Sequence, residues 1–234
     1  GYSIPLFFFA FLAFCCFLSV RFFLPAIYRK GADKEKSSTW SQILYFMKIP
    51  RVRIMTFMQF LCNFGITGIG PILPLYIKQM MGSSTELVAT VVGFIIFISG
   101  GCSAVMSLNV GRLTEYIRPH RILVGATFFV GFTFLMQYLM TTVTGLGVWR
   151  GITGLGMGLI APCTNTLIAK SVPPEKRAIV FGVVSSVFLM GNVAGSVCSG
   201  ALARWLGYPS VFWSTALAFL LAGAVIAWNF RKEW

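Results

Sequence analysis

Seven stretches of this chain run for about 20 residues with few charges, the length an α-helix needs to cross the hydrocarbon core of a bilayer. They cover roughly residues 3–24, 52–77, 87–109, 122–142, 145–169, 178–203 and 208–229. Charged residues make up 11% of the chain and hydrophobic ones 57%, where a soluble domain keeps roughly a quarter of its residues charged. The expected class is an all-α integral membrane protein with seven transmembrane helices. The fourth and fifth stretches are divided only by "TTVTGLG", so their boundary is soft; charged, Gly or Pro signals divide the others.

A net charge of +13 would point to nucleic acid in a soluble protein. In a membrane chain it marks loops on one side. Arg21, Arg29, Lys30, Lys34, Lys36, Lys48, Arg51 and Arg53 lie in the segment 21–53, at and before the start of the second stretch. Arg112, Arg118 and Arg121 follow the third; Lys170, Lys176 and Arg177 follow the fifth; Arg231 and Lys232 close the chain. Seven spans put all these segments on one side, leaving only Lys78, Arg150 and Arg204 for the other. The basic side is expected to be cytoplasmic, as in a multi-pass protein of a bacterial inner membrane, with the C-terminus inside and Gly1 outside.

The chain opens "GYSIPLFFFAFLAFCCFLSV", without an initiator Met or a basic n-region, and twenty uncharged residues precede Arg21. That pattern fits a spanning helix rather than a signal peptide. It leads to the expectation that residues 1–24 are the last helix of a missing N-terminal half. Residues 25–51 are then a polar cytoplasmic connector, with a surface amphipathic helix at about 40–48. Residues 52–234 form a six-helix domain. The six cysteines (15, 16, 62, 102, 163 and 198) lie inside apolar runs without metal-ligand spacing. They read as buried thiols, and no metal or cofactor is implied.

Several motifs then occur in order. "GPILPLY" (70–76) is Pro-rich at the outer end of the second stretch. "GRLTEYIRPHR" (111–121) follows the third stretch, "RGITGLGMG" (150–158) lies in the fifth, "VPPEKRAIVFG" (172–182) follows it, and "GNVAGSVCSG" (191–200) lies in the sixth. Together they resemble the C-terminal half, with the helix before it, of a major facilitator superfamily transporter. The closest type resembles the bacterial multidrug efflux proteins of the drug:proton antiporter group. "GRLTEYIRPHR" resembles the family loop motif Gly-x-Leu-Ala-Asp-Arg-x-Gly-Arg-Lys. Gly111 and Leu113 match, while Glu115 replaces Asp, Tyr116 replaces Arg and Arg118 replaces Gly. Ser196 stands where the antiporters' Gly-Pro pair has Pro.

Candidate site residues follow from the cost of polarity in lipid. Gln59 and Asn63 are four apart, so they share a helix face, and a buried amide needs a partner or water. Two readings stand: a hydrogen-bonding substrate cavity, which the resemblance favours, or an interhelical bond worth about 0.6 kcal/mol. Asn165, Ser185 and Asn192 are further substrate-binding candidates; Phe57, Phe60 and Phe64 read as lipid-facing filler. Arg150 lies in the outer part of the fifth span, either snorkelling to the interface or, as the resemblance implies, facing the cavity and influencing coupling. Pro71 and Pro74 either bend the second span for gating or are simply tolerated. The small-residue pairs Gly154/Gly158 and Gly191/Gly195 promise close helix seams that slide between states.

Gly111 is expected to give a tight exit from the third span, with Arg112 and Arg118 holding the loop inside. The resemblance implies that Glu115 docks on the N-terminal end of the half's fifth helix, near Ala178; the alternative is a solvated loop with no gate. The six acids (Asp33, Glu35, Glu86, Glu115, Glu175 and Glu233) all fall in loops or the tail. A proton-coupling carboxylate is therefore expected in the missing half. The expected function is part of a secondary transporter exporting small amphipathic compounds by alternating access. Its partners would be a small-molecule substrate, protons, membrane lipid and the missing half, not nucleic acid. A metabolite or nutrient transporter, or a truncated remnant that transports nothing, stand as alternatives. The lone His120, without a nucleophile or metal partner, gives no support to an enzyme.

Overall fold

The protein is described by a computed structural model over residues 3–23, 49–82 and 87–230. It divides into two compact units, Gly1–Ser38 and Thr39–Trp234. The described part of the first is one helix, α1 (Ser3–Phe23), with an apolar stretch at Phe7–Ser19. Ser19 donates its hydroxyl to the Cys15 carbonyl, which satisfies it within its own helix. Most of the expected connector, including the amphipathic helix at 40–48, lies outside the described residues.

The second unit begins its helices at α2 (Pro50–Ile69), with Pro at the first position, where a missing N–H costs nothing. Then come α3 (Ile72–Met81), α4 (Val88–Tyr116), α5 (Pro119–Leu139), α6 (Val143–Ser171), α7 (Arg177–Leu206) and α8 (Pro209–Phe230). Six stretches are long and apolar enough to cross a membrane, α2 and α3 counting as one from Pro50 to Met81. The α2–α3 break falls at Gly70–Pro71. Pro71 offers no N–H to the Thr67 carbonyl and Pro74 none to that of Gly70, so two rungs of the ladder are missing within one turn.

Two boundaries differ from the expectation. The stretch Gly111–Tyr116 is helical, the end of a 29-residue α4, and the link to α5 is only Ile117 and Arg118. Hydropathy marks where the membrane ends, not where the helix ends. Nothing in Arg112–Tyr116 breaks a helix, and Pro119 then opens the next one. Gly111 therefore makes no tight exit. The soft boundary after the fourth span falls at Met140–Thr142, where the Thr142 hydroxyl accepts the Gly145 N–H as an N-cap.

The helices pack mainly as α2 on α7, α4 on α6, and α5 on both α6 and α8, with α2 also touching α6 and α8. The aromatic core lies between α5 and α8. Phe134 meets Phe219 with ring centroids 5.8 Å apart, and Phe212 meets Tyr76 of α3 at 5.6 Å. Coverage is uneven: 56% of the most apolar window is buried for α2–α3 and for α5, against 17% for α4 and 22% for α7. The broad uncovered surface of the unit thus belongs to α4 and α7. The cysteines are all free, but only Cys62 and Cys163 are buried; Cys15, Cys16 and Cys198 are exposed and Cys102 is half-buried. An apolar run says a thiol is in lipid or core without saying which.

Candidate functional site

α2 carries the polar groups expected at mid-depth. Gln59 and Asn63 are both buried. Gln59 Nε2 donates to Asn165 Oδ1 of α6 at 3.1 Å, and Asn63 Nδ2 donates to the Gln59 carbonyl at 3.0 Å. One turn further, Thr67 Oγ1 donates to Asn192 Oδ1 of α7 at 2.8 Å. The bundle thus brings Gln59 to Asn165 and Asn192 to α2, while Asn63 turns back on its own helix. Asn165 is exposed and Asn192 half-buried; Ser185 is exposed on α7. Thr67 escapes sequence reasoning, because threonine in a membrane helix commonly bonds its own preceding turn.

Beside these amides, Phe57, Phe60 and Phe64 form a stacked ladder along α2, with centroids 6.3 and 6.2 Å apart. Phe57 is half exposed, but Phe60 and Phe64 are part-buried and so are not simply filler against lipid.

The glycine pairs lie in two helix crossings. A methyl group on Gly154 or Gly158 of α6 would run into the carbonyls of Ser99 and Ser103 on α4. One on Gly191 or Gly195 of α7 would meet the carbonyls of Phe60 and Phe64 on α2, the first at 2.5 Å. From the α2 side, a Cβ on Gly68 would strike Ser199 Oγ. Backbone therefore touches backbone at both seams, the arrangement that drives helix association where burial from lipid gains nothing.

Arg150 points to α5 rather than to the amides: its Cζ lies 5.7 Å from the Phe134 ring centroid. Its Nη1 is buried without a hydrogen-bond partner among the described residues, as is Gln137 Oε1. Gln137 Nε2 donates to Thr153 Oγ1 at 2.7 Å, and the Thr153 hydroxyl reaches Thr133 Oγ1 at 3.0 Å and the Trp149 carbonyl at 2.7 Å. This polar knot between α5 and α6 joins residues sixteen to twenty apart, a pairing that no local spacing announces.

In the stretch Gly111–Arg121, Arg112, Glu115 and Arg118 are exposed, and a side chain on Gly111 would meet nothing within 4 Å. Glu115 makes no hydrogen bond or ion pair with a described residue, so the expected latch onto the start of α7 near Ala178 is not formed. The basic-loop picture also fails for His120. It is buried in the first turn of α5, its ring stacked on Phe230 at 5.7 Å.

Residues 55–233 match the family model described as Major Facilitator Superfamily. The chain is 33% identical over 186 residues to the multi-drug resistance efflux pump PmrA of Streptococcus pneumoniae, covering 79% of this chain and 46% of that protein. It is 26% identical to the multidrug resistance protein MdtG of a Rahnella species, over 98% of this chain and 56% of that one. Identity is also 26% to the MFS-type transporter YuxJ of Bacillus subtilis, over 99% and 59%. The chain thus spans about half the length of these relatives. Among solved structures, the POT family transporter PepTSo superposes with a TM-score of 0.66 at 14% identity, covering 79% of this chain and 38% of that one. At that identity the likeness concerns the fold alone.

Proposed function

The chain belongs to the Major Facilitator Superfamily, and from that premise we propose that it forms the C-terminal half, with the helix before it, of an exporter of small amphipathic compounds. The exporter works by alternating access, and its proton-coupling carboxylate lies in the other half. The multi-pass helices follow from their length and apolarity; the cell membrane and the inward-facing C-terminus are part of the proposal. Support for the orientation is that Arg51, Arg53, Arg112, Arg118, Arg121, Lys170, Lys176 and Arg177 all gather at one end of the antiparallel bundle.

The observation that carries the reading is the pair of amide contacts from α2, Gln59–Asn165 and Thr67–Asn192, beside the aromatic ladder. Gln59, Asn165 and Asn192, with Ser185 on the same helix as Asn192, are proposed to hydrogen-bond substrate from the open side, and Asn63 to brace Gln59 through its carbonyl. Phe57 and Phe60 supply apolar contact. The two glycine seams, Gly154/Gly158 and Gly191/Gly195, let α6 and α7 shift as the cavity opens, and Pro71 and Pro74 let the outer segment α3 swing. Gly111, Arg112, Glu115 and Arg118 are proposed to act at the inner edge of α4. The acceptor for Glu115 would lie outside the described residues. Arg150 is proposed to set the α5–α6 spacing rather than to face the cavity.

The test is drug susceptibility of a host stripped of its own pumps, carrying the full-length gene or empty vector. Raised resistance to several cationic or apolar drugs is expected. Susceptibility equal to the vector, with the protein present in the membrane, ends the multidrug reading.

A further inference from the structure

At the end of the bundle away from the α2–α3 break, a cavity of about 430 Å³ is lined by Arg51, Arg118, Pro119, His120, Leu167, Lys170, Ser171 and Phe230. Four helices deliver these residues: α2 and α5 by their first turns, α6 and α8 by their last. None of the eight is acidic. No acid stands in the first turn of α2 or α5, and neither helix has a side-chain N-cap bond. The backbone does not explain the sign of the charge. Each helix end carries about half an elementary charge, so two N-termini and two C-termini largely cancel. What remains are the whole charges of Arg51, Arg118 and Lys170, all exposed at the rim. The remaining lining is part apolar (Leu167, Phe230) and part polar (Ser171, His120). Arg51, Arg118 and His120 already hold contacts of their own, but a guanidinium has five N–H donors and one contact leaves others.

We propose that this cavity binds a phosphate oxyanion, with the two guanidiniums and the Lys170 ammonium on its oxygens; the Ser171 hydroxyl lines the site with its proton donated to the Leu167 carbonyl at 2.8 Å. Arginine forks match phosphate geometry, and basic pockets between membrane helices accept lipid head groups. The cavity opens at the helix ends, where both the phosphate of an anionic lipid and a soluble phosphate have access. The site does not depend on the transport reading, because it requires only the folded bundle.

The test measures binding of phosphatidylglycerol, against phosphatidylcholine, to the purified full-length protein in neutral detergent by native mass spectrometry. Variants are Arg51→Gln/Arg118→Gln/Lys170→Gln and a control of equal charge loss, Arg53→Gln/Arg112→Gln/Lys176→Gln. The pocket variant is expected to bind phosphatidylglycerol at least about tenfold more weakly, the control by much less. If the triple variant does not fold, Lys170→Gln alone is expected to weaken binding and Lys170→Arg to restore it. Equal weakening by pocket and control variants, or no weakening by the pocket variant or Lys170→Gln, overturns the site. Competition with inorganic phosphate separates the sources. Displacement of the lipid at millimolar phosphate assigns a soluble phosphate, and a lipid that resists assigns the head group; both support the oxyanion site.

Discussion

At the residue scale, glycine identity matters only where backbones touch. Gly158→Leu and Gly195→Leu would push side chains into the Ser103 and Phe64 carbonyls and are expected to cost at least about 1–3 kcal/mol as overpacking. Thermal unfolding in detergent would register this as a fall in Tm or a loss of folded yield. Gly111→Ala is the contrasting case, since a side chain there meets nothing. It is expected to leave Tm unchanged or raise it slightly, by up to about 1 kcal/mol of helix propensity. A large destabilisation by Gly111→Ala would restore the turn that the helix excludes. Thr153→Val takes the acceptor from Gln137 Nε2 at 2.7 Å. The Thr133 carbonyl at 3.4 Å remains as a longer acceptor, so the change should cost about 1 kcal/mol, as judged by the same unfolding transition. The i, i+4 spacing of Gln59 and Asn63 was legible as a shared face. The partner of Gln59 was not, because Asn165 lies more than a hundred positions away.

At the element scale, the spans were legible because about 20 apolar residues in a row have few other uses. Their ends were less so: α4 continues through Arg112–Tyr116 beyond its apolar run, and charge patterning reads as a loop what is still helix. The α2–α3 break falls at Gly70–Pro71, within the Pro-rich stretch, and its part in gating belongs to the proposal. Replacing both Pro71 and Pro74 by Ala returns two backbone donors and should join α2 to α3. Unchanged or raised Tm with slowed substrate efflux is expected in the full-length protein. Efflux at the parental rate would remove the break from gating. The Gln59–Asn165 bond is a separate matter, and a double-mutant cycle with Gln59→Leu and Asn165→Leu is expected to give a coupling of about 0.6 kcal/mol in unfolding.

At the scale of the whole molecule, α4 and α7 are the least covered spans, and the chain spans about half of its relatives; the proposed other half would pack on these two helices. The basic residues could be counted in the sequence, and helix order places those among the described residues at one end; that this end faces the cytoplasm is part of the proposal. Single cysteines at Glu175 and Thr141, in a background without the native ones, should react with a membrane-impermeant reagent from opposite sides, Glu175→Cys only from the cytoplasm. Labelling of Glu175→Cys in intact cells would invert the topology. The most direct measurement is dye movement by the purified full-length protein in proteoliposomes under an imposed pH gradient. Transport of a cationic dye against the proton flow, abolished by collapsing the gradient and reduced by Asn165→Leu, is the expected result. A folded protein that moves no dye at any gradient would contradict the exporter reading.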